Sequence, residues 1–310
     1  NGKLKEFIDT YEKDGISSYV ELMWGLPEET LETFIDGVSH ILEQDYHNSL
    51  DIHLLVLLPN APMSSPGYKE QFGLKTLDLQ PMLGHRTNPK QLTDDVSAFV
   101  VESNSFTTND WLKGIEFRWI IKFGHYLGPL QFISRFFVKM GLTTYKDFYL
   151  SILKYADLNP STFIGQELKI IKDQLQLVVK NKRYWGDIIE SAGDINWDME
   201  EATCIRLLTN KDDFYSEIRD FLKQTYNLQD DLLDEVIKYQ RSRLNDHFVT
   251  YPYKCQFDYN LHEFITNNED LIQTPKEYEF FADNHPSIYE WAKNTLWFGR
   301  RIARYKTKVR

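Results

Sequence analysis

The sequence predicts an α/β protein, with part of a (β/α) barrel over residues 1–110 and a mainly helical region over 111–310 that holds a short late β-hairpin. Three observations predict it. Up to Pro59 the hydrophobic pattern alternates helix, strand, helix, strand. The run Leu54-Leu-Val-Leu-Leu58 is continuously apolar, as in a strand covered on both faces. From Trp111 to about Asn245 the spacing stays helical.

The elements follow in order. Leu4, Phe7, Ile8 and Tyr11 recur at helical spacing and stop at Asp14-Gly15. Ile16 to Trp24 is a β-rich run ending at Gly25. Pro27 suits the first turn of a helix, Glu28 and Glu29 favour its positive end, and Leu31, Phe34, Ile35, Val38, Ile41 and Leu42 form its apolar stripe. Ile52 to Leu58 is a second strand, halted by Pro59. Strands joined by a helical crossover run parallel, with a right-handed connection. Two strands do not make a stable sheet, and the chain opens Asn1-Gly2-Lys3 without Met, so more strands are expected ahead of Asn1.

Residues 60–95 are punctuated by Pro62, Pro66, Gly67, Gly73, Pro81, Gly84 and Pro89 and read as a long functional loop. Ala98 to Glu102 is a short strand. Thr108-Asn-Asp110 caps a helical region from Trp111, interrupted near Gly124 and at Gly128-Pro129. Further helices are expected over 143–156, 163–182, 185–192, 199–208, 211–226 and 228–244. A β-pair is expected within Tyr251–Phe264 and Glu277–Ala282, and a last helix over 287–305. Trp111, Phe117, Trp119, Phe123, Tyr126, Phe132, Phe136 and Phe137 have the spacing of core between helices.

Composition narrows the function. Thirty-five basic residues against 46 acidic give −11 and a pI near 5.3, which argues against a nucleic-acid surface. Hydrophobic residues at 42% exclude a disordered chain. Two cysteines, Cys204 and Cys255, exclude a disulfide framework and a local Cys-rich metal site, and reduced thiols place the protein in the cytoplasm. No apolar stretch approaches the ~20 residues of a membrane span. The histidines form no ligand pair, so no metal site is expected; His53 on a strand and His85 in the loop read as structural. Arg300, Arg301, Arg304, Lys306, Lys308 and Arg310 make the ending basic. They read as a solvated helix end favoured by the dipole, with a weak contact to an anionic partner or membrane surface as the sharper alternative.

The most specific feature is a pair of strand tips. Glu21-Leu-Met-Trp-Gly-Leu-Pro-Glu-Glu-Thr30 and Leu57-Leu-Pro-Asn-Ala-Pro-Met63 both lie at the C-terminal ends of parallel strands, the edge where α/β sheets and barrels bind ligands. A strand ending in Gly-Leu-Pro-x-Glu-Thr resembles the fifth strand of the radical S-adenosylmethionine enzymes, and Leu-Pro-Asn-x-Pro their sixth. Asn60-Ala-Pro-Met-Ser-Ser-Pro-Gly-Tyr68 followed by Gly73-Leu-Lys75 resembles the members that carry a cobalamin-binding domain. The likeness covers residues 1–80 and extends in layout to Trp111.

The resemblance implies the closing part of a partial (β/α)6 barrel, with S-adenosylmethionine, a 4Fe–4S cluster and cobalamin as the parent enzyme's cofactors. It places the adenine against Met23, before Gly25, and against the backbone of Leu57, Leu58 and Pro59. Glu21 shares a strand face with Met23 and Gly25 and needs a partner, either the ligand or a charge on a further strand. The family's Cys-x3-Cys-x2-Cys loop is absent, so the chain is expected to be an inactive fragment on its own, supplying part of the adenosyl pocket and the substrate side. The alternative is a non-catalytic helical interaction module that retains barrel remnants.

Overall fold

The computed structural model describes residues 6, 10, 11, 18–79, 84, 85, 96–180 and 186–310. Most of the helix expected over Leu4–Tyr11 lies outside them, although Glu6, Thr10 and Tyr11 are helical. β1 (Tyr19–Trp24) and β2 (Ser49–Leu54) pair in parallel, in register from Tyr19 opposite Ser49 to Trp24 opposite Leu54. Strand alternation divides the pair. Leu22, Trp24, Leu50, Ile52 and Leu54 face the core, whereas Tyr19, Glu21, Met23 and His53 are exposed and Asp51 is half-buried.

α1 (Leu31–Glu43) crosses between the two strands, and it starts later than the sequence predicts. Thr30 caps it, exchanging hydrogen bonds with Thr33. Pro27 and Glu28 belong to a turn instead, in which Glu28 takes φ of 67°. The Glu29 carboxylate bends back to accept the N–H groups of Gly25 and Leu26 at 3.1 and 3.3 Å. The second strand also differs from expectation, because it breaks at Leu55. There the Leu55 N–H donates to Trp24 O at 2.9 Å and its carbonyl accepts from Val100 N–H at 3.0 Å.

β3 (Val56–Leu57) continues beyond that break. Within the first part of the expected long loop come α2 (Pro66–Phe72), capped by Ser65, and β4 (Lys75–Leu79); most of the remainder, 80–83 and 86–95, lies outside the described residues. β5 (Ser97–Glu102) pairs antiparallel with both β3 and β4, taking over the side of the strand where β1 ends.

α3 (Thr108–Ile120) opens on a reciprocal Thr107–Asp110 cap and widens into a π turn over Ile121–Tyr126. Then follow α4 (Gln131–Lys139), α5 (Tyr145–Leu158), α6 (Phe163–Val179), α7 (Met199–Leu207), α8 (Lys211–Thr225) and α9 (Asp230–Ser242). The helix expected over 185–192 is not formed. β6 (Asp187–Ile188) and β7 (Asn196–Trp197) pair there, and Gly186 and Gly193 at φ of 101° and 86° turn the chain out of helical geometry.

The late β-pair is present as β8 (Tyr253–Tyr259) and β9 (Gln273–Phe281), but α10 (Leu261–Asn267) lies between them and β10 (Lys308–Val309) adds a third strand. The last helix is broken into α11 (Ile288–Trp291), a π turn over Ala292–Trp297 and a single 3-10 turn at Arg300–Ile302. One core runs from Trp24 to Tyr305, and all eight rings singled out from Trp111 to Phe137 are buried in it. Among the described residues no helix is long and apolar enough to cross a membrane.

Candidate functional site

Trp24 anchors the tip of β1. Its indole stacks on Phe34 at 4.7 Å, packs near Phe106 at 5.1 Å, and donates from Nε1 to Trp111 O at 3.2 Å. Gly25 follows at φ of 101°, a conformation that L side chains rarely adopt. The Glu29 carboxyl is pushed up by burial, although the two N–H groups it accepts pull it the other way. The second tip leaves β3 with Leu57 buried and Leu58 64% exposed. Ser64 Oγ then closes the turn, lying 2.9 Å from Pro59 O and 2.7 Å from Ala61 O.

Below the tips, the outer face of β1–β2 presents Glu21, Met23 and His53. Glu21 Oε1 lies 3.7 Å from His53 Nε2, one step diagonally across the pair. That imidazole, on β2 of the same pair, is neither of the partners expected for Glu21, a ligand or a charge on a further strand. Met23, 39% exposed, stands beside it. The six predicted positions thus sort into two groups. Glu21 and Met23 share the open face, and Gly25 ends β1. Leu57, Leu58 and Pro59, expected at the end of a parallel strand, instead end β3, which lies in the antiparallel sheet with β5, because the parallel pairing stops at Leu54.

Toward the start of the same strands lies a cluster that the sequence did not reveal. Lys122 Nζ sits 2.8 Å from Asp51 Oδ1 and also pairs with Glu200. Arg118 Nη1 is 3.6 Å from Glu200, and its Nε–H donates to Ile52 O at 2.6 Å. Arg300 reaches Asp51, Asp198 and Glu201 at 3.9, 3.8 and 3.5 Å. His85 joins the cluster: its Nε2 is 2.6 Å from Glu201 and its ring stacks on Trp297 at 4.4 Å.

Charge complementarity decides the protonation here. Burial alone would raise the Asp51 and Glu200 carboxyls, but Lys122 and Arg118 outweigh it and hold both low. Asp198 goes the other way, pushed up by burial and by Glu201 and Glu200. Tyr19, Asp51, Lys122, Glu200 and Arg300 leave only about 20 Å³ between them, room for roughly one water. The cluster ties β2 to α3, α7 and the C-terminal segment. Of the basic ending it draws in Arg300 alone; Arg301, over the Tyr19 ring at 4.6 Å, Arg304, Lys308 and Arg310 stay exposed, as a solvated end requires. One sequence signal was available: Arg118 and Lys122 are an i, i+4 cationic pair within the apolar, aromatic-rich stretch Phe117–Phe123.

No family model matches the chain. It is 27% identical over 248 residues to the cobalamin-dependent radical SAM methyltransferase TokK of Streptomyces tokunonensis. It is 24% identical over 245 residues to the 2-(S-pantetheinyl)-carbapenam-3-carboxylate methyltransferase of Streptantibioticus cattleyicolor. Each alignment takes in 74% of this chain and 36% of the relative, so the chain spans about a third of the length of the curated relatives it matches.

Proposed function

We propose that this chain, a radical S-adenosylmethionine family member of the cobalamin-dependent kind, forms the closing part of a partial (β/α)6 barrel over residues 1–110 and a helical substrate-side cap over 111–310. The reaction of the whole protein is methyl transfer to an organic substrate, in the cytoplasm. The observation that carries this reading is the β1–β2 pair. It is parallel, packed on one face and open on the other. Arg118 closes the outer edge of β2, whereas β1 has no second partner strand among the described residues. Strands added along β1 would turn the open face into a barrel lumen.

The residues present fit the nucleoside half of the cofactor and not the cluster. Met23 offers a polarizable, half-exposed thioether to a flat adenine ring. Glu21, oriented by His53, accepts hydrogen bonds from hydroxyl groups. Gly25 and the backbone of Leu57, Leu58 and Pro59 form the rim. Cluster thiolates are lacking: Cys204 is buried in α7 and Cys255 lies on β8, so this chain does not hold the three thiolates a cluster needs. When bound, S-adenosylmethionine supplies the transferable methyl group and the adenosyl moiety; this chain orients the nucleoside and excludes water from one side.

The test is calorimetric titration of S-adenosylmethionine into the full-length protein carrying Glu21→Ala or Met23→Ala. Both side chains stand on the outer face of the β1–β2 pair, away from the core, so folding is not at stake. Each variant should bind about tenfold more weakly, the loss of roughly one good contact. Affinity equal to the parent would sink the pocket assignment.

A further inference from the structure

A second cleft in the molecule is lined by several basic residues. Arg243, the residue that ends α9, is only 8% exposed. Its Nη1–H donates to Tyr239 Oη at 2.7 Å and its Nη2–H to Thr307 O at 3.2 Å. The guanidinium rests 4.1 Å from the centre of the Phe132 ring. Its Nε–H has no acceptor, and no carboxylate pairs with it among the described residues. A buried cation without a counter-ion is costly, and proteins rarely keep one without a use.

Arg243 lines a cleft of about 660 Å³, a size that suits a small molecule. Arg304, Lys306 and Lys308 stand around it, opposed by the single carboxylate of Asp283. That is a local reversal of sign in a chain of net charge −11. Phe281 and Ile302 give it apolar wall. The cleft is separate from the strand tips. Tyr305 donates to Asn48 O at 3.3 Å and Lys306 to His47 O at 3.2 Å, which fixes this wall to the residues that enter β2, at the far end from Gly25.

We propose that this cleft binds a phosphate group carried on a small organic molecule. Arg304 and Lys308 are the exposed contacts at its rim, Arg243 adds positive charge from behind the wall, and Phe281 and Ile302 receive the organic body. Basic residues on several sides of one cleft, with a single carboxylate against them, suit a doubly charged tetrahedral anion, and a guanidinium fork suits phosphate oxygens.

Inorganic pyrophosphate titrated into the full chain, at ionic strength held constant with KCl, tests the site. Saturable one-site binding is expected, weakened about tenfold by Arg304→Gln or Lys308→Gln, as for the loss of one charge-assisted contact. Both side chains are exposed, so the variants should fold. A parallel arm uses phosphatidylcholine vesicles containing phosphatidate. Binding there that depends on Arg304 and Lys308 supports the same phosphate chemistry with a lipid as its source; binding of pyrophosphate alone supports a soluble ester. No binding in either arm, or equal binding by parent and variants, overturns the proposal.

Discussion

Arg118 sets its Nε–H 2.6 Å from the carbonyl oxygen of Ile52, on the edge of β2 that faces away from β1. The same guanidinium also stands beside buried Glu200. An open strand edge invites pairing with other chains, and here a side-chain charge from α3 covers it. Arg118→Ala would leave the Ile52 carbonyl without its donor and deprive Glu200 of one cation. A loss of about 3–5 kcal/mol is expected, seen as a lower urea midpoint. An unchanged midpoint would mean that Lys122 suffices for the cluster.

Gly114 lies against Trp24. A Cβ added there would fall inside van der Waals distance of the indole ring. Gly114→Ala therefore forces either the ring or α3 to move, at a cost of about 1–3 kcal/mol. Thermal unfolding should register the loss, with a change in tryptophan emission from the displaced ring. A variant as stable as the parent, with the same spectrum, would contradict this packing.

Glu167 is 3% exposed and is held by Arg206, whose Nε and Nη2 reach its two oxygens at 2.6 and 2.7 Å. Thr203 Oγ1 adds a bond at 2.8 Å. Arg206→Ala leaves that carboxylate buried and underpaired and should cost about 3–5 kcal/mol. Adding Glu167→Gln should recover part of the loss, since a neutral amide tolerates burial better. A double variant no more stable than Arg206→Ala would show that the charge is not what matters.

His47 and His125 give the stability a pH dependence. His47 Nδ1 and His125 Nε2 are 3.0 Å apart, His47 Nε2 lies 2.8 Å from Asp45 Oδ1, and His125 Nδ1 is 2.8 Å from Tyr149 Oη. An ionised Asp45 only accepts, so His47 carries its proton on Nε2 and takes one from His125. Burial holds both imidazoles well below their usual range, helped at His47 by Arg135 and Lys306, and at His125 by His47 and the same two cations. The unfolded chain therefore binds more protons below about pH 6.5. Their contribution is complete above that pH and is lost as pH falls toward the depressed folded values, at up to ~1.4 kcal/mol per pH unit for each ring. Urea midpoints between pH 7.5 and 5 should drop, and His125→Gln should flatten the slope; a flat profile for the parent would disprove the linkage.

The strand–helix–strand unit was legible because each part carries a local pattern: the stripe from Leu31 to Leu42, and alternation along Tyr19–Trp24. The true start of α1 was not. Pro27 and Glu29 suit a first turn by propensity, but the Glu29 carboxylate is captured by the backbone of Gly25 and Leu26. β4, β6 and β7 were missed because strands this short owe their existence to a partner rather than to their own residues. The charge cluster was out of reach for a related reason: Asp51, Lys122 and Glu200 lie far apart in sequence and meet only after α3 and α7 are packed. Glu21 beside His53 shows the opposite case, since strand periodicity alone put that carboxylate on the same face as Met23.

The tie from Tyr305 and Lys306 to Asn48 and His47 spans 257 and 259 positions of sequence. During translation at ~5–20 residues per second, roughly 13–50 s separate the emergence of one end of that tie from the other. For all that time the foot of β2 leaves the ribosome without its clasp. Holding a nascent chain safe over such an interval is work for chaperones, and a shortened message that omits the clasp should yield protein that is degraded rather than merely weakened.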